Sequence, residues 1–442
     1  MKRKLTNYFI VLVLLSGFTL FAGPVSAQDS LQLDLNKTVE MATAHSRKSK
    51  MRNDELEAAT FRRNQAFGRF LPKLTLSARY SRVSHVEPRT IGTIQFGEAV
   101  DNQYSLRMAL DQPIFTGFAL SSGYRISEYA EQLAQDRTRF ERADVRAISQ
   151  EAYFNLLKAR QMRQDTDTLV AALEEHLRQI QLLGEAGRAT DLEISRVRSR
   201  VAAARVASVQ AQGAEASGQL ALTTLLGVPS TTPLTLADIV DSVQDSSADV
   251  EGLVARALAN RPEVAIATTN AAIASERVNV EASALWPQVS LRFGYNYDRP
   301  NQRYFPAQDE FDGTWDLSAM VSWTAWDWGV TYYGMKAAEA EARAASRNVE
   351  ETQDLIRLDV ERQRQAYTTA TAKILAAEEA LKSAEQSFNT TEILFEAGRA
   401  QSLDVLDAAT ELTQARSELV QALADARIAW AFVQKSLGDD TD

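Results

Sequence analysis

The stretch EAGRA at residues 185–189 returns letter for letter at residues 396–400, which is 211 residues later in the chain. The same offset of 211 residues separates LG at 226–227 from LG at 437–438. An offset that holds over long segments is the mark of an internal duplication, and it has to be interpreted before any local motif. The sequence therefore predicts one structural unit written twice, with a turn at the centre of each copy.

Composition excludes several classes of protein. The 442 residues carry a net charge of −10, and no basic patch dominates, so nucleic acid is not predicted as a partner. The chain contains no cysteine, which removes disulfides, thiolate metal sites, cysteine nucleophiles and lipid attached to an N-terminal cysteine. Its three histidines do not stand in a metal-ligand spacing. We therefore predict no catalytic residues, no cofactor and no metal site.

The N-terminus has the features of a secretory signal. A basic KRK at residues 2–4 is followed by an apolar run at 9–21 and by small residues up to Ala27. We predict a signal peptide at 1–27 that is cleaved after Ala27; an uncleaved anchor is the alternative. No later segment reaches the ~18 apolar residues of a membrane-spanning helix. An exported protein without a transmembrane helix is expected.

The expected unit runs helix, strand, strand, very long helix, shorter helix. In the first repeat, 28–227, a helix is predicted from Leu35 to about Arg69, because Pro72 stops it. Alternation of apolar and polar residues then predicts strands at about 73–83 and 103–114, and a helical hairpin at 118–227. In the second repeat, 251–438, the strands lie at about 288–298 and 314–325 and the hairpin at 329–437. A linker or equatorial segment at 228–250 joins the repeats, and 439–442 is a tail.

The four strands are each about ten residues long, with one apolar face, one polar face and aromatic residues near their ends. A soluble, half-buried hairpin has the same period of two. Four such runs in an exported, cysteine-free chain fit membrane-crossing strands better, with lipid on one side and water on the other. Four strands cannot close a barrel, and an open edge in lipid leaves backbone groups unpaired at several kcal/mol each. The strands therefore need partners from other chains.

The long segments are predicted to be rods. No proline lies between Pro113 and Pro229 or after Pro306, and about 65 helical residues span roughly 100 Å. In the returning helix of the second hairpin, large residues from Val405 to Val433 recur every seven positions, and small residues follow three positions later. The first hairpin has Ser208 and Glu215 in this seam, so looser packing is expected there. A filamentous coiled coil is the alternative, but it would have no use for the strands.

The motifs, in their order, resemble those of the TolC-like outer-membrane efflux channels over nearly all of the mature sequence. The matching stretches are NRPE at 260–263, LPKL at 71–74, WPQV at 286–289, the two glycine-containing tips and LDVLDA at 403–408. Two stretches depart from the family pattern. The first-repeat counterpart of NRPE reads SRK at 46–48, and TAWDWG at 324–329 only approximates the usual turn into the long helix.

The resemblance implies an α+β membrane protein that forms a homotrimer. Four strands from each of three chains would close a twelve-stranded β-barrel in outer-membrane lipid, continuous with a periplasmic α-helical barrel. Such a protein is a passive conduit of a tripartite efflux or type I secretion system. Its partners would be a periplasmic adaptor protein and an inner-membrane transporter, either proton-driven or of the ABC type.

Two other functions are weighed against the channel. A periplasmic adaptor also carries a signal peptide and a helical hairpin, but it would need one hairpin flanked by lipoyl-like β segments, whereas two hairpins are predicted here. An exported enzyme would need a paired-acid, triad or metal spacing, and none stands out among the abundant carboxylates.

The tips are the first candidate site. Gly187 and Gly398 can take the left-handed conformation that ends a helix, and Arg188 and Arg399 recur beside them. The resemblance implies that these tips dock the adaptor. The simpler reading is that the glycines only make turns and that the arginines interact with helix C-termini.

The second candidate site is a gate. Asp404 and Asp407 lie three residues apart and so share a helix face just after the tip. The resemblance implies that threefold symmetry places six carboxylates around a narrow periplasmic aperture, giving cation selectivity and block by multivalent cations. The simpler reading is a pair of solvated acids at a helix start. The family's gate also uses an aromatic hydroxyl before the tip glycine. Phe395 stands near that place and cannot donate, so the locking bonds are expected to differ.

Overall fold

A computed structural model describes residues 31–85, 89–92, 94–96, 100–237, 249–304 and 308–439. The predicted signal peptide and its cleavage site at Ala27 lie outside the described residues. The same holds for 238–248 of the predicted linker and for 440–442 of the tail.

Two series of elements follow each other along the chain. The first is β1 (Leu31–Leu33), α1 (Leu35–His45), α2 (Arg47–Gly68), β2 (Lys73–Arg82), β3 (Arg89–Ile91), β4 (Ile94–Phe96), β5 (Asn102–Thr116), α3 (Ala119–Glu185) and α4 (Asp191–Leu226). The second is β6 (Leu234–Leu236), α5 (Val250–Asn260), α6 (Pro262–Ala282), β7 (Gln288–Arg299), β8 (Asp312–Ser322), α7 (Val330–Glu396) and α8 (Ser402–Leu437). The helices α3 and α7 each contain 67 residues, and α4 and α8 each contain 36.

The single helix predicted from Leu35 to about Arg69 is wrong, because the chain breaks at Ser46 into α1 and α2. Ser46 has an extended backbone (ψ 122°), and its side chain accepts a hydrogen bond from the amide of Ser49 at 3.3 Å. The second series breaks in the same way at Arg261, between α5 and α6, where Pro262 forces the preceding residue out of the helical region. The residue directly after Ser46 is Arg47 and not a proline, so the sequence pattern did not reveal this break.

The loop after β2 also contains the short hairpin β3–β4, which was not predicted.

Four long strands form one antiparallel sheet in the order β2-β5-β7-β8. The central pair joins the two series, since Leu110 of β5 lies opposite Phe293 of β7. Within the described part of the chain, the outer edges of β2 and β8 have no neighbouring strand.

The register separates the residues of the sheet into two faces, because residues opposite each other point to the same side. One row across all four strands is Leu74, Leu110, Phe293 and Leu317. The adjacent row is Lys73, Asp111, Arg292 and Ser318, in which Arg292 donates to the Asp111 carboxylate at 2.5 Å. One face is therefore apolar and exposed, and the other is polar and charged.

The four long helices form two hairpins. At 1.5 Å per residue, each 67-residue helix is a rod of about 100 Å. The predicted seam of α8 is confirmed over most of its length, because Leu412, Ala415, Ala422, Ala426 and Val433 are buried. The small residues at alternate seam positions let α7 and α8 approach closely. Among the described residues, no helix is both long enough and apolar enough to cross a membrane.

The polar positions in the seam of the first hairpin have partners on α3. Ser208 is buried and donates to the Asp167 carboxylate at 2.5 Å. Glu215 forms ion pairs with Arg160 at 3.1 Å and with Arg163 at 2.7 Å. Looser packing was expected at these positions; instead, polar contacts between α3 and α4 fill the seam.

A small belt, formed by β1 and β6 together with the short helices, lies beside the middle of the hairpins. The strands β1 and β6 pair in parallel, and β6 opens the second series. Tyr153 of α3 donates to the carbonyl of Ala237 at 2.9 Å beside an apolar cluster that includes Leu156 and Leu222. Arg261, in the NRPE stretch, pairs with Asp359 of α7 at 2.7 Å. These contacts hold the middle of both hairpins, at a distance from the tips.

Candidate functional site at the hairpin tips

Both tips have the same backbone turn. Gly187 (φ 71°) and Gly398 (φ 70°) are left-handed. The amide of Arg188 donates to the carbonyl of Leu183 at 2.7 Å, and the amide of Arg399 donates to that of Leu394 at 2.8 Å. This six-to-one bond, with a left-handed residue before it, is the Schellman motif that satisfies the last carbonyls of a helix. A side chain at either glycine would meet open space, so only the backbone conformation requires glycine.

The two tip arginines are available for a partner. Arg188 and Arg399 are both exposed, and each follows its glycine at the most distal point of its hairpin. Among the described residues, neither arginine lies within 4.0 Å of a carboxylate.

A capping box begins each returning helix. Thr190 accepts from the amide of Glu193 at 3.3 Å, and its own amide donates to the Glu193 carboxylate at 2.7 Å. In the second tip the amide of Gln401 donates to the Asp404 carboxylate at 2.8 Å. The bond from Thr190 lowers the pKa of Glu193. Asp404 therefore has a structural role at the start of α8 in addition to any role at an aperture.

Asp407, the second predicted gate residue, is paired rather than free. Its carboxylate lies 2.7 Å from the guanidinium of Arg200 on α4, and both side chains are about half exposed (49% and 46%). The structure therefore places Asp404 and Asp407 one turn apart but gives them different surroundings. Asp404 caps its own helix, whereas Asp407 forms an ion pair that links the second hairpin to the first.

A buried hydrogen bond makes a second tie between the hairpins. His176 of α3 lies 2.7 Å from the hydroxyl of Ser402, the first residue of α8, and both residues are buried. The ring of Phe395 packs against the His176 ring, with 5.3 Å between centroids. Phe395 thus packs here instead of donating a hydrogen bond, as its lack of a hydroxyl required.

An apolar cluster surrounds these polar ties. It combines residues of α3, α4 and α8, of which Leu173, Ile180, Val197, Val201 and Leu406 are buried. The His176–Ser402 bond is buried beside this cluster, and a buried bond of this kind is costly to break without replacement. The first turns of α8 are held in place by the first hairpin.

Sequence reasoning found the tips and the carboxylates but missed their counterparts Arg200, His176 and Ser402. No local motif marks these three residues, because each acts across two helices that are distant in sequence. Within the described ranges, no group of three or more histidine, cysteine, aspartate or glutamate residues could hold a metal ion.

Comparison with known proteins gives consistent results. The chain matches the sequence profile of the family described as outer membrane efflux protein over residues 39–228 and 253–439. It is 25% identical to the cobalt-zinc-cadmium resistance protein CzcC of Cupriavidus metallidurans over 348 residues, which are 76% of this chain and 79% of that protein.

Solved structures share the fold. The CmeC outer membrane channel of Campylobacter jejuni superposes with a TM-score of 0.80 at 17% identity, covering 91% of this chain and 85% of that one. The outer membrane protein VceC of Vibrio cholerae superposes with a TM-score of 0.77 at 18% identity, covering 91% and 96%. At these identities the similarity shows a shared fold and nothing more specific.

We expect acid to loosen the start of α8. Burial lowers the pKa of His176 below its ordinary value of 6.5, so the ring is neutral in the packed tip. A ring released from this site binds a proton more readily than the buried ring. Protonation therefore favours the released state, and the stability of the packed tip is greatest above about pH 6.5 and decreases as the pH falls below that value. Hydrogen exchange of the amides at 403–408, corrected for intrinsic rates, should accelerate between about pH 7.5 and 5.5.

The control is His176→Gln, which can still bond to Ser402 but cannot titrate in this range. This variant should show no excess acceleration. The same acceleration in both proteins would assign the pH dependence to other groups.

Proposed function

The chain belongs to the outer membrane efflux protein family, and on that premise we propose that three copies form one conduit through the outer membrane and the periplasm. Four strands from each copy close a twelve-stranded barrel, and the hairpins form a helical tunnel below it. The family comprises channel proteins, which are not enzymes. Transport through the conduit therefore requires energy from another protein.

The observation that carries the proposal is a sheet with one exposed apolar face whose outer edges, β2 and β8, have no neighbouring strand among the described residues. An apolar face of Leu, Phe and Tyr residues is suited to lipid, but an open edge in lipid costs several kcal/mol for each unpaired backbone group. Pairing β8 of one copy with β2 of the next removes both edges at once. Antiparallel order is kept in such a closure, because the sheet already alternates direction from β2 to β8.

Aromatic side chains support the membrane orientation. Tyr295 and Trp315 are exposed on the apolar face towards one end of the sheet, and Trp286 and Trp323 are exposed at the other end. Aromatic residues of this kind prefer the two interfaces of a bilayer. The leucines between the two sets, such as Leu74 and Leu317, would then face the acyl chains.

The equal lengths of α3 and α7, and of α4 and α8, support the division into two repeats at 28–227 and 251–438. With two hairpins per copy, a trimer would contain six quasi-equivalent hairpins around one axis. The segment 228–250 supplies β6 to the belt around the helices.

The lipid-facing assignment has a sharp test in neighbouring residues of β8. Leu317 lies near the middle of the strand on the apolar face, and Ser318 lies on the polar face beside Arg292. Leu317→Arg should cost about 2–4 kcal/mol of membrane stability, whereas Ser318→Arg should be tolerated. The readout is the amount of crosslinked trimer in outer-membrane fractions. Equal yields from both variants, or a soluble monomer from the unmodified protein, would contradict the proposal.

The tips are proposed to dock a periplasmic adaptor that connects the conduit to an inner-membrane transporter. Both arginines are exposed at the distal ends of the hairpins and have no ionic partner among the described residues, which supports this role. A cation at an exposed tip contributes mainly to partner choice and association rate. The double variant Arg188→Glu, Arg399→Glu should lose crosslinking to the adaptor while trimers still assemble.

The matched control for the tips is Arg347→Glu, which reverses an exposed charge on α7 far from the tip. It should leave adaptor crosslinking unchanged. If the tip variant also crosslinks normally, Arg188 and Arg399 do not belong to the interface.

Asp404 and Asp407 are proposed to line the periplasmic aperture. Their position within the first two turns of α8, next to the tip, supports this assignment. In a trimer they would place six carboxylates near one axis, and like charges held close together attract cations. The Arg200 pair offsets part of this charge, so the aperture field depends on both hairpins.

The double variant Asp404→Asn, Asp407→Asn should lose cation selectivity and block by multivalent cations in planar-bilayer recordings. Asparagine keeps an oxygen that can accept from the Gln401 amide, so the start of α8 is preserved while the charge is removed. The control Glu418→Gln removes an exposed charge higher on α8 and should behave as the unmodified protein. Identical selectivity in all three proteins would remove these acids from the constriction.

A further inference from the structure

A cavity of about 500 Å³ lies between α1, α2 and α3, beside the break that separates α1 from α2. Four of the residues that line it are basic, namely Lys50 of α2 and Arg139, Arg142 and Arg146 of α3. The three arginines are spaced by three and four residues, so they lie along one side of α3 over about 10 Å. The lining contains one acid, Glu40. Positive charge is therefore concentrated here, in a chain whose net charge is −10.

Two of these cations have no acidic partner. Among the described residues, neither Lys50 nor Arg142 lies within 4.0 Å of a carboxylate, and both are exposed. Arg139 differs, since it lies 3.7 Å from the carboxylate of Asp136. Like charges that line one cavity repel each other, and a bound anion would remove this repulsion.

A buried hydroxyl without a partner lines the same cavity. Ser49 stands next to Lys50 in the first turn of α2 and is 6% exposed, and its hydroxyl makes no hydrogen bond to any described residue. The amide of Ser49 donates to the side chain of Ser46, so the backbone is held in place while the hydroxyl stays unused. An unpartnered buried hydroxyl is unfavourable, and an oxygen of a bound anion can accept its hydrogen.

The second repeat contains the same helices without this basic cluster. α5 has the same 11 residues as α1 and starts 215 residues later, and α7 starts 211 residues after α3. The counterparts of Lys50, Arg139, Arg142 and Arg146 are, in that order, Ala265, Glu350, Gln353 and Arg357. Arg357, the one base among them, pairs with Asp354 at 3.3 Å. The repeated fold therefore does not require the basic residues of the first repeat.

Apolar packing takes the place of the polar lining in the second repeat. The counterparts of Thr43 and Ser49 are Leu258 and Val264, which pack against the cluster around Ile356 of α7. A closed, apolar arrangement is thus compatible with this fold. The first repeat has a polar cavity instead, as expected where a ligand binds.

We propose that the cavity binds a soluble, multiply charged oxyanion. Arg142 and Lys50 pair with its charges, and the hydroxyl of Ser49 donates to one of its oxygens. A guanidinium group donates two parallel hydrogen bonds to a phosphate or carboxylate group, and an ammonium group adds a point charge. The volume of about 500 Å³ is that of a small-molecule site.

The position of the cavity along α3 favours a soluble ligand over a lipid. α3 begins at Ala119, shortly after strand β5 of the sheet, and the three arginines lie 20 to 27 residues further along. This corresponds to about 30–40 Å. With the sheet in a bilayer, a lipid headgroup would not reach the cavity; this step alone rests on the proposed function.

Titration calorimetry of the full-length protein in detergent, at constant ionic strength, tests the site with inorganic pyrophosphate and with citrate. The two probes distinguish phosphate from carboxylate groups, and at least one of them should bind with one equivalent per chain. The variant Lys50→Gln, Arg142→Gln should weaken this binding by about tenfold or more. The matched control Arg347→Gln, Arg357→Gln removes two exposed positive charges from α7 and should bind as the unmodified protein does.

The variant Ser49→Ala distinguishes the cavity from the surface around it. Without ligand it should unfold at the same temperature as the unmodified protein or slightly above, because the lost hydroxyl has no partner. It should bind the anion several-fold more weakly. Unchanged affinity would place the anion outside the cavity and overturn the inference.

No binding of either probe, or an equal loss of affinity in the α7 control, would also overturn the inference. The yield of crosslinked trimer in outer-membrane fractions tests the conduit separately. A protein that forms trimers but binds neither anion would leave the proposed function intact, and a protein that binds an anion without forming trimers would leave the cavity site intact.

Discussion

The rest of the structure depends on the unpaired backbone at the two outer edges of the sheet. Hydrogen-bonding groups along β2 and β8 have no strand partner within the described chain, although the face between them is apolar enough for lipid. In water the edges would be solvated at little cost, but the apolar face would be exposed. In lipid the apolar face is in a favourable environment, but the backbone groups at the edges lack hydrogen-bond partners. The proposed pairing between copies would meet both requirements.

In the helical part, the two helices of each hairpin are packed together. Ala422 and Ala426 of α8 pack against α7, and Ser208 of α4 donates a hydrogen bond to Asp167 of α3. Among the described residues, the hairpins meet where α8 lies on α3. In the proposed trimer, both the sheet edges and the hairpins would contact neighbouring copies.

Periodicity explains which parts of the fold could be predicted from the sequence. The four strands follow from apolar residues at every second position, and the long helices follow from a seven-residue repeat and from the lack of proline within them. The observed bounds lie within a few residues of those expected. The break at Ser46 could not be predicted, because it depends on a serine cap rather than on a proline. The ties at the tip were also missed. Arg200 and His176 have partners 207 and 226 residues away, and a one-dimensional pattern does not encode which faces of distant helices meet.

The pairing of Asp407 changes the electrostatics expected at the aperture. Two carboxylates per copy would place strong negative charge near the axis, but Arg200 brings one positive charge for every two acids and contacts Asp407 directly. In the proposed trimer, half of the negative charge is therefore offset while the two hairpins stay together. In the proposed trimer, separation of the hairpins would break the pair, so the charge of the Asp407 carboxylate would no longer be offset by Arg200. If Asp407 lines the aperture as proposed, a cation there would compete with Arg200 for the same carboxylate, and cation binding would be thermodynamically coupled to the contact between the hairpins.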